Sequence, residues 1–324
     1  MQPDAPANPL LILLPVYNDW AAAEMLLAQL DEELTKSDAR ADVLLADDGS
    51  TEPRRWPETK YHAIGRISVL RLARNLGHQR ALAVALAHIA ANFSYDAVVV
   101  MDADGEDRPA DALALHTGHQ QSETPRMIFG QRAERSEGAW FSFWYRLYLL
   151  AFRALTGQHL QSGNLSLIPG SMLCAVVTLP ELWNHYASAL LNSRLPFMTL
   201  PCPRGKRLAG RSNMNFVGLM THGLSAISVF AEAVGARLIA ASLFIAAAAF
   251  AATIIVTVIR VATNWAIPGW ATYTFGLGVV VLLQAVTMAF VLSLLVLNRR
   301  SHIGFLPQRD YAYFVRDVET IYQQ

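Results

Sequence analysis

Asp96–Asp107 reads DAVVVMDADGED. A short, wholly apolar run that ends in acidic turn residues predicts a strand over Asp96–Asp102, buried on both faces, with an acidic loop at its carboxyl end. Three further runs share this form: Leu10–Val16, Asp42–Asp47 and Ile67–Leu72. Between them lie helical patterns, notably Ala21–Leu34 and Gln79–Ala91. Strands alternating with helices predict an α/β domain over residues 1–210, built on a largely parallel sheet covered on both faces. In such sheets ligands bind beyond the carboxyl ends of the strands.

Those strand ends carry the unusual residues. The first is Pro15-Val16-Tyr17-Asn18, the second Asp47-Asp48-Gly49-Ser50-Thr51, the third Arg74-Asn75-Leu76-Gly77-His78-Gln79, and the fourth Asp102-Ala103-Asp104-Gly105-Glu106-Asp107. Carboxylates crowded in this way repel unless a cation or a hydrogen-bonded ligand lies between them. Oxygen-only ligands suit Mg²⁺ or Mn²⁺, and magnesium commonly uses one or two carboxylates plus substrate phosphates. Asp47 or Asp48 could instead accept hydrogen bonds from a base or a ribose. The pattern calls for a nucleoside diphosphate bridged by metal.

The chain has 324 residues, of which 53% are hydrophobic and 16% charged, against roughly a quarter charged in ordinary soluble domains. Disorder, collagen and coiled coil are excluded. The 26 basic and 26 acidic residues balance, so no bulk field points to nucleic acid. Cys174 and Cys202 make neither a disulfide framework nor a zinc site.

The hydrophobic excess lies late in the chain. Leu238–Ile259 gives 22 residues and Tyr273–Leu297 gives 25 without a charge, each long enough to cross a bilayer as a helix. Trp265 and Trp270 in the connector suit the headgroup level. Arg237 before the first span and Arg299 and Arg300 after the second place both chain ends in the cytoplasm, giving a multi-pass inner-membrane protein. The first 35 residues hold no Lys or Arg, and no signal peptide is expected. The expected division is a catalytic domain over 1–210, an interfacial helix over 211–235, two transmembrane helices over 236–300, and a cytoplasmic tail over 301–324. The tail, with Tyr311, Tyr313 and Phe314, is expected to pack on a neighbour or the membrane surface.

Two stretches suit a membrane surface. Ala139–Leu155 is an aromatic helix with Arg146 and Arg153 on one edge; a buried core helix is the alternative. Met214–Val234 repeats apolar residues at helical spacing, just after the basic segment Arg204, Lys206, Arg207 and Arg211. That segment is placed to catch a lipid phosphate, although it could be a solvated loop. His159, His185 and His222 receive no role, and Ser142, Ser162 and Ser166 show no nucleophile-elbow setting.

Taken in order and spacing, these motifs resemble the family 2 glycosyltransferases with the GT-A fold, and within them the branch that makes polyisoprenyl-phosphate sugars. Gly130-Gln131-Arg132-x-x-Arg135 and Arg207-x-x-Gly210-x-Ser212 carry the same resemblance, as does a catalytic domain followed by two spans. The resemblance implies a Rossmann-like catalytic domain with interfacial helices and two C-terminal transmembrane helices. It also implies a metal-dependent, inverting transferase that moves a sugar from a nucleotide-sugar donor to a polyisoprenyl phosphate of undecaprenyl type. Pro15, Tyr17, Asn18, Asp47, Asp48, Asn75, Gly77, His78 and Asp102 would bind the donor. Asp104 and Glu106 would hold Mg²⁺ or Mn²⁺. Asp102, Asp104, Arg132 and Arg135 would be catalytic. Arg132 and Arg135, with Arg204, Lys206, Arg207, Arg211 and Ser212, would meet the acceptor phosphate. Relatives form assemblies through their spans and tails, so a homo-oligomer is one expectation.

Two departures stand out. Where relatives read Asp-Ala-Asp-Leu-Gln-Asp-Pro-Pro, this chain has Gly105, Glu106 and Arg108; Glu106 either joins the metal neighbourhood or pairs with Arg108. Where relatives carry Gly-Asp-Phe-Arg, this chain has Gly163-Asn164-Leu165-Ser166, which lacks the carboxylate and the arginine. An anionic phosphate acceptor needs positioning more than deprotonation. Two other readings stay open: a same-fold transferase acting on another lipid or glycan, and a non-catalytic membrane protein that binds sugar nucleotides.

Overall fold

The computed structural model describes residues 10–54, 59–132, 139–158, 162–203, 205–209, 216–263, 269–301 and 304–324. In chain order the elements are β1 (Leu10–Val16), α1 (Trp20–Lys36), β2 (Ala41–Asp47), β3 (Ile64–Leu72), α2 (His78–Asn92), β4 (Ala97–Val100), α3 (Pro109–Gln120) and β5 (Met127–Arg132). Then follow α4 (Ala139–Thr156), β6 (Ser162–Pro169), α5 (Gly170–Val176), α6 (Tyr186–Asn192), β7 (Phe197–Cys202), α7 (Phe216–Val229), α8 (Ala231–Ala262), α9 (Trp270–Ser301) and β8 (Val315–Gln323). They form two compact units: Met1–Trp144, Leu160–Val229 and Gly304–Gln324 in the first, Tyr145–His159 and Phe230–Ile303 in the second.

The first unit is an eight-stranded sheet in the order β7-β5-β6-β4-β1-β2-β3-β8. Every residue of β1 is buried. Because strand side chains alternate, Leu10, Ile12 and Leu14 enter one core cluster and Leu11 and Leu13 the other. β1 pairs in parallel with β2 and β4, and β2 with β3. Their carboxyl ends therefore open on the same edge, which brings Tyr17, Asp47 and Asp102 to one rim.

The sheet is mixed rather than largely parallel. β6 runs antiparallel between β4 and β5, with Ser166 opposite Val100. This places Asn164 beside the end of β4. A second correction concerns the tail. Instead of standing apart, it supplies β8, antiparallel to β3. Ion pairs fasten this added strand: Arg71 to Asp317 at 3.1 Å and to Glu319, and Arg54 to Glu319 at 3.3 Å. Beside it, Trp183, Phe305 and Phe314 stack in an aromatic cluster.

α7 belongs to the first unit and ends at Val229, and α8 starts at Ala231. On α7, Ala226 and Val229 are buried whereas Met220 and Leu224 are exposed.

In the second unit α8 and α9 each run 32 residues, about 48 Å at 1.5 Å per residue, beyond a hydrocarbon core of about 30 Å. Both are long and apolar enough to cross a membrane, with only 17% and 11% of their most apolar stretches buried. Gly235 approaches Val296, and Gly278 approaches Thr253, an antiparallel pairing in which small residues allow close approach. The part of α4 in this unit buries Phe152 against Phe230 but exposes Leu147, Leu150, Arg146 and Arg153. Arg237, expected as a flank of the first span, donates to the carbonyl of Leu155 near the end of α4.

Candidate active site

At the rim, the loops after β1, β2 and β3 are locked together by their own side chains. Asn18 adopts φ +55°. Its Oδ1 accepts from the Thr51 and Glu52 amides at 2.8 and 3.0 Å, and its own amide donates to Ser50 Oγ at 2.9 Å. Asp47 Oδ1 accepts from the Ser50 amide at 2.9 Å. Asp48 accepts from the amides of Leu76 and Gly77 at 2.7 and 2.8 Å. Burial pushes its carboxyl above the ordinary value, outweighing those two amides. Gly49 sits at φ +72°, and a Cβ there would lie 2.7 Å from the backbone of Arg74 and Asn75, so only glycine lets the two loops touch. Gly77, at φ +91°, precedes α2.

Of the residues expected at the donor, Pro15, Tyr17, Asn18, Asp47, Asp48, Asn75, Gly77 and His78 lie along this rim in different settings. Pro15 is buried within β1 opposite Ala46, and the side-chain oxygens of Asn18 and Asp48 accept from the protein's own backbone amides. Tyr17, Asn75 and His78 are exposed along the rim. Asp47 lines a polar cleft of about 360 Å³ together with Trp20, Ser50, Arg54, Arg71 and Arg316.

The acidic loop after β4 is folded by its own carboxylates. Buried Asp107 accepts from the Asp102 amide at 2.9 Å, and Asp104 Oδ1 accepts from the Glu106 amide at 2.9 Å. Gly105 takes φ +87° with its α-carbon against Leu208, which accounts for the missing leucine of the resemblance. The segment after β7 pairs onto this loop through Leu208 N to Asp104 O at 2.9 Å and Gly205 N to Glu106 O at 2.8 Å.

Arg207, expected at the acceptor phosphate, is paired with carboxylates of the rim. Its guanidinium spans Asp104 at 3.0 Å and Asp19 at 2.9 Å, with Nε donating to the Ala209 carbonyl. A fork of fixed donors suits two carboxylates at once. Burial raises the Asp104 carboxyl above its ordinary value; the Glu106 amide opposes this, Asp102 and Glu106 add to it, and Arg207 offsets part of it. Arg108 is held by Asp111 at 2.6 Å.

Asn164 is the hub that sequence reasoning underrated. Its Nδ2 lies 2.9 Å from His78 Nε2 and 3.2 Å from Asp102 Oδ1, and its Oδ1 accepts from Gln79 at 3.4 Å. Gln79 in turn accepts from the Tyr186 amide. Ser166 is fully buried, donating to the Asn164 carbonyl at 2.9 Å and touching the Tyr186 hydroxyl at 2.7 Å. Ser166 is thus buried and hydrogen-bonded at the position where the resemblance expects an arginine. Nearby, His185 Nδ1 accepts from the Ser188 amide at the start of α6, which puts its proton on Nε2, 3.2 Å from His222. Burial, reinforced by His222 and His78, lowers the His185 pKa to about 3.

Asp19 adjoins a quoted motif and Gln79 and Asp107 each end one, yet none was given a role; only the fold gives them partners. Among the expected phosphate cations, Lys206 is exposed and Arg132 ends β5 opposite Cys202. Arg135, Arg204, Arg211 and Ser212 lie outside the described residues.

This sheet, with aspartates at the ends of β2 and β4, has the GT-A fold of sugar-nucleotide transferases. Residues 11–175 match the family model described as glycosyl transferase family 2; the chain belongs to that family and is a glycosyltransferase that uses a nucleotide-sugar donor. It is 24% identical over 228 residues to an uncharacterized glycosyltransferase of Synechocystis sp., covering 68% of this chain and 69% of that one. The glucosyl-3-phosphoglycerate synthase of Mycobacterium tuberculosis, solved with Mn²⁺, UDP-glucose and phosphoglyceric acid, shares the fold. Its TM-score is 0.50 at 18% identity, over 71% of this chain and 80% of that one. The mannosyl-3-phosphoglycerate synthase of Rubrobacter xylanophilus has a TM-score of 0.46 at 13% identity, over 69% and 73%.

Proposed function

We propose that this transferase is anchored in the cytoplasmic membrane and moves its sugar onto a polyisoprenyl phosphate at the cytoplasmic face, inverting the anomeric centre. The observation that carries this reading is the juxtaposition in sequence of the catalytic unit and two long, sparsely covered apolar helices, with one residue between α7 and α8. A soluble acceptor gives no reason for such helices; an acceptor confined to the bilayer does. The exposed arginines and leucines of α4 suit a headgroup layer.

The donor set also fits a divalent cation. Asp102, Asp104 and Glu106 offer hard oxygen ligands. Among the described residues no three His, Cys, Asp or Glu side chains gather into a full cage. That suits an ion completed by a diphosphate, since Mg²⁺ needs only one or two carboxylates when phosphates supply the rest. Asp104, with Glu106 beside it, would hold Mg²⁺ or Mn²⁺, and the ion would supply charge neutralisation for the departing diphosphate. Arg132 and Arg135 would steady the acceptor phosphate, and Lys206 adds a mobile positive charge. Asn164 fits this chemistry, because an anionic phosphate attacks without giving up a proton.

The test offers membranes containing the full-length protein a panel of nucleotide sugars, with lipid products read by mass spectrometry. A hexosyl polyisoprenyl phosphate formed only with added Mg²⁺ or Mn²⁺ is expected. Sugar transferred only to a water-soluble acceptor would assign the enzyme to the other branch. Donor left intact in every arm would reduce it to a binding protein.

A further inference from the structure

The register between β3 and β8 passes from Leu72 opposite Val315 to Arg71 opposite Asp317. Arg316 is therefore the extra residue of a β-bulge, with no partner on β3, and bulges beside binding sites re-aim a side chain. The bulge lies at the carboxyl end of β3, where Arg316 joins the cleft that Asp47 and Trp20 line. Of the cleft's arginines, Arg54 and Arg71 are held by Glu319 and Asp317. The Arg316 side chain is 73% exposed and stands 3.6 Å from Asp317, beyond hydrogen-bonding distance. Asp47, which lines the same cleft, is only 6% exposed, with one carboxylate oxygen on the Ser50 amide. The buried Trp20 indole N–H has no hydrogen-bond partner among the described residues. A carboxylate acceptor and a largely exposed guanidinium, held only by a loose ion pair and lining the same cleft, can together read a donor and an acceptor side by side.

We propose that Arg316 is a specificity-determining residue of the donor site. It hydrogen-bonds a ring carbonyl of the nucleotide base while Asp47 accepts from the adjacent ring N–H. The inference rests on the donor lying with its base at Asp47 and its diphosphate toward Asp104. Bases with a ring N–H beside a carbonyl, namely uracil, thymine and guanine, satisfy both groups. Cytosine and adenine lack that N–H; they can offer Asp47 only an exocyclic amino group and Arg316 only a ring nitrogen, a differently shaped edge that the carbonyl-reading pair matches less well.

The experiment is calorimetric titration of the full-length protein in detergent with UDP, TDP, GDP, CDP and ADP, and with UMP, TMP and GMP. The wild type is expected to prefer one of the ring-N–H nucleotides. Arg316→Ala should weaken that nucleotide about tenfold, equally for its mono- and diphosphate, and weaken CDP and ADP less than twofold. Arg316→Lys, which keeps charge and strand but not the planar fork, should retain most of the loss. Val318→Ala, elsewhere on β8, should bind as the wild type, and melting temperatures of all variants check that β8 stays in place. Unchanged affinity in Arg316→Ala, an equal loss for all five diphosphates, or a loss confined to diphosphates overturns the proposal, as does a wild type preferring CDP or ADP. A wild type that binds no nucleotide overturns the donor placement itself.

Discussion

Asn164 Nδ2 stands 3.2 Å from Asp102 Oδ1, donating an amide hydrogen to a carboxylate at the place where the resemblance expects a second carboxylate. Asn164→Asp would replace this donor with a like charge and take the hydrogen bond from His78 as well. Like charges in contact destabilise the ionised pair. At pH 7.5, kcat/KM should fall about 100-fold, roughly 2.7 kcal/mol, and recover partly as the pH falls and the introduced carboxyl takes up a proton. Equal activity in both enzymes across that range would show that the hub does not matter to turnover.

Asp48 supports the rim through two amides and is 3% exposed. Asp48→Ala strands both N–H groups, each costing about 1–3 kcal/mol when buried, offset in part by removing a carboxyl whose burial is itself unfavourable. A lower melting temperature should accompany a donor KM raised at least fivefold, because the Leu76–Gly77 loop loses its anchor. Steady-state kinetics and a thermal melt decide it; a changed kcat with KM intact would instead place Asp48 at the chemistry.

Removing Arg207 frees Asp104 and Asp19 from their shared cation. Arg207→Ala should cost about tenfold or more in kcat/KM, and Arg207→Lys should recover little, since one ammonium cannot span two carboxylates as a planar fork does. Hydrogen exchange should quicken at the Gly205 and Leu208 amides, which now bond to the acidic loop. Protection unchanged at both amides would mean that the loop holds without the arginine.

The protein should lose stability in mild acid. His185 titrates near 3 when folded, against an ordinary value of 6.5, mainly because it is buried. Below about pH 6.5 the unfolded chain therefore binds more protons than the folded one, and stability falls as the pH drops toward 3, by at most about 1.4 kcal/mol per unit from this group. A second proton on its ring would also break the Ser188 cap. Denaturant midpoints measured from pH 7.5 to 5 should slope downward, and His185→Asn, whose side-chain oxygen can accept the same amide hydrogen, should flatten that slope. An unaltered slope in the variant would assign the acid sensitivity elsewhere.

How far the sequence revealed this architecture depended on where each strand finds its stability. β1, predicted over Leu10–Val16, has those same bounds because a strand buried on both faces is written as an unbroken apolar run. The aspartates at the ends of β2 and β4 were legible for the same reason. β8 was not: its residues, VRDVETIYQ, are half charged or polar, and it pairs with β3 through partners such as Arg71 and Glu319, 248 positions apart. Asn164 looked like a defect in a motif because its three partners come from α2 and the end of β4. Arg207 looked like one basic residue among several, because neither Asp19 nor Asp104 is near it in sequence.

β8 has a consequence for biosynthesis. Until residues 315–323 leave the ribosome, β3 has an open outer edge, and both apolar helices emerge before that edge is covered. An uncovered sheet edge invites association with other chains. The nascent enzyme is therefore most vulnerable while its two apolar helices are emerging, and anything that misplaces the downstream segment would leave the catalytic sheet with a sticky edge. Fragments cut before the first apolar helix inherit the same open flank, and should associate more readily than a chain that keeps β8.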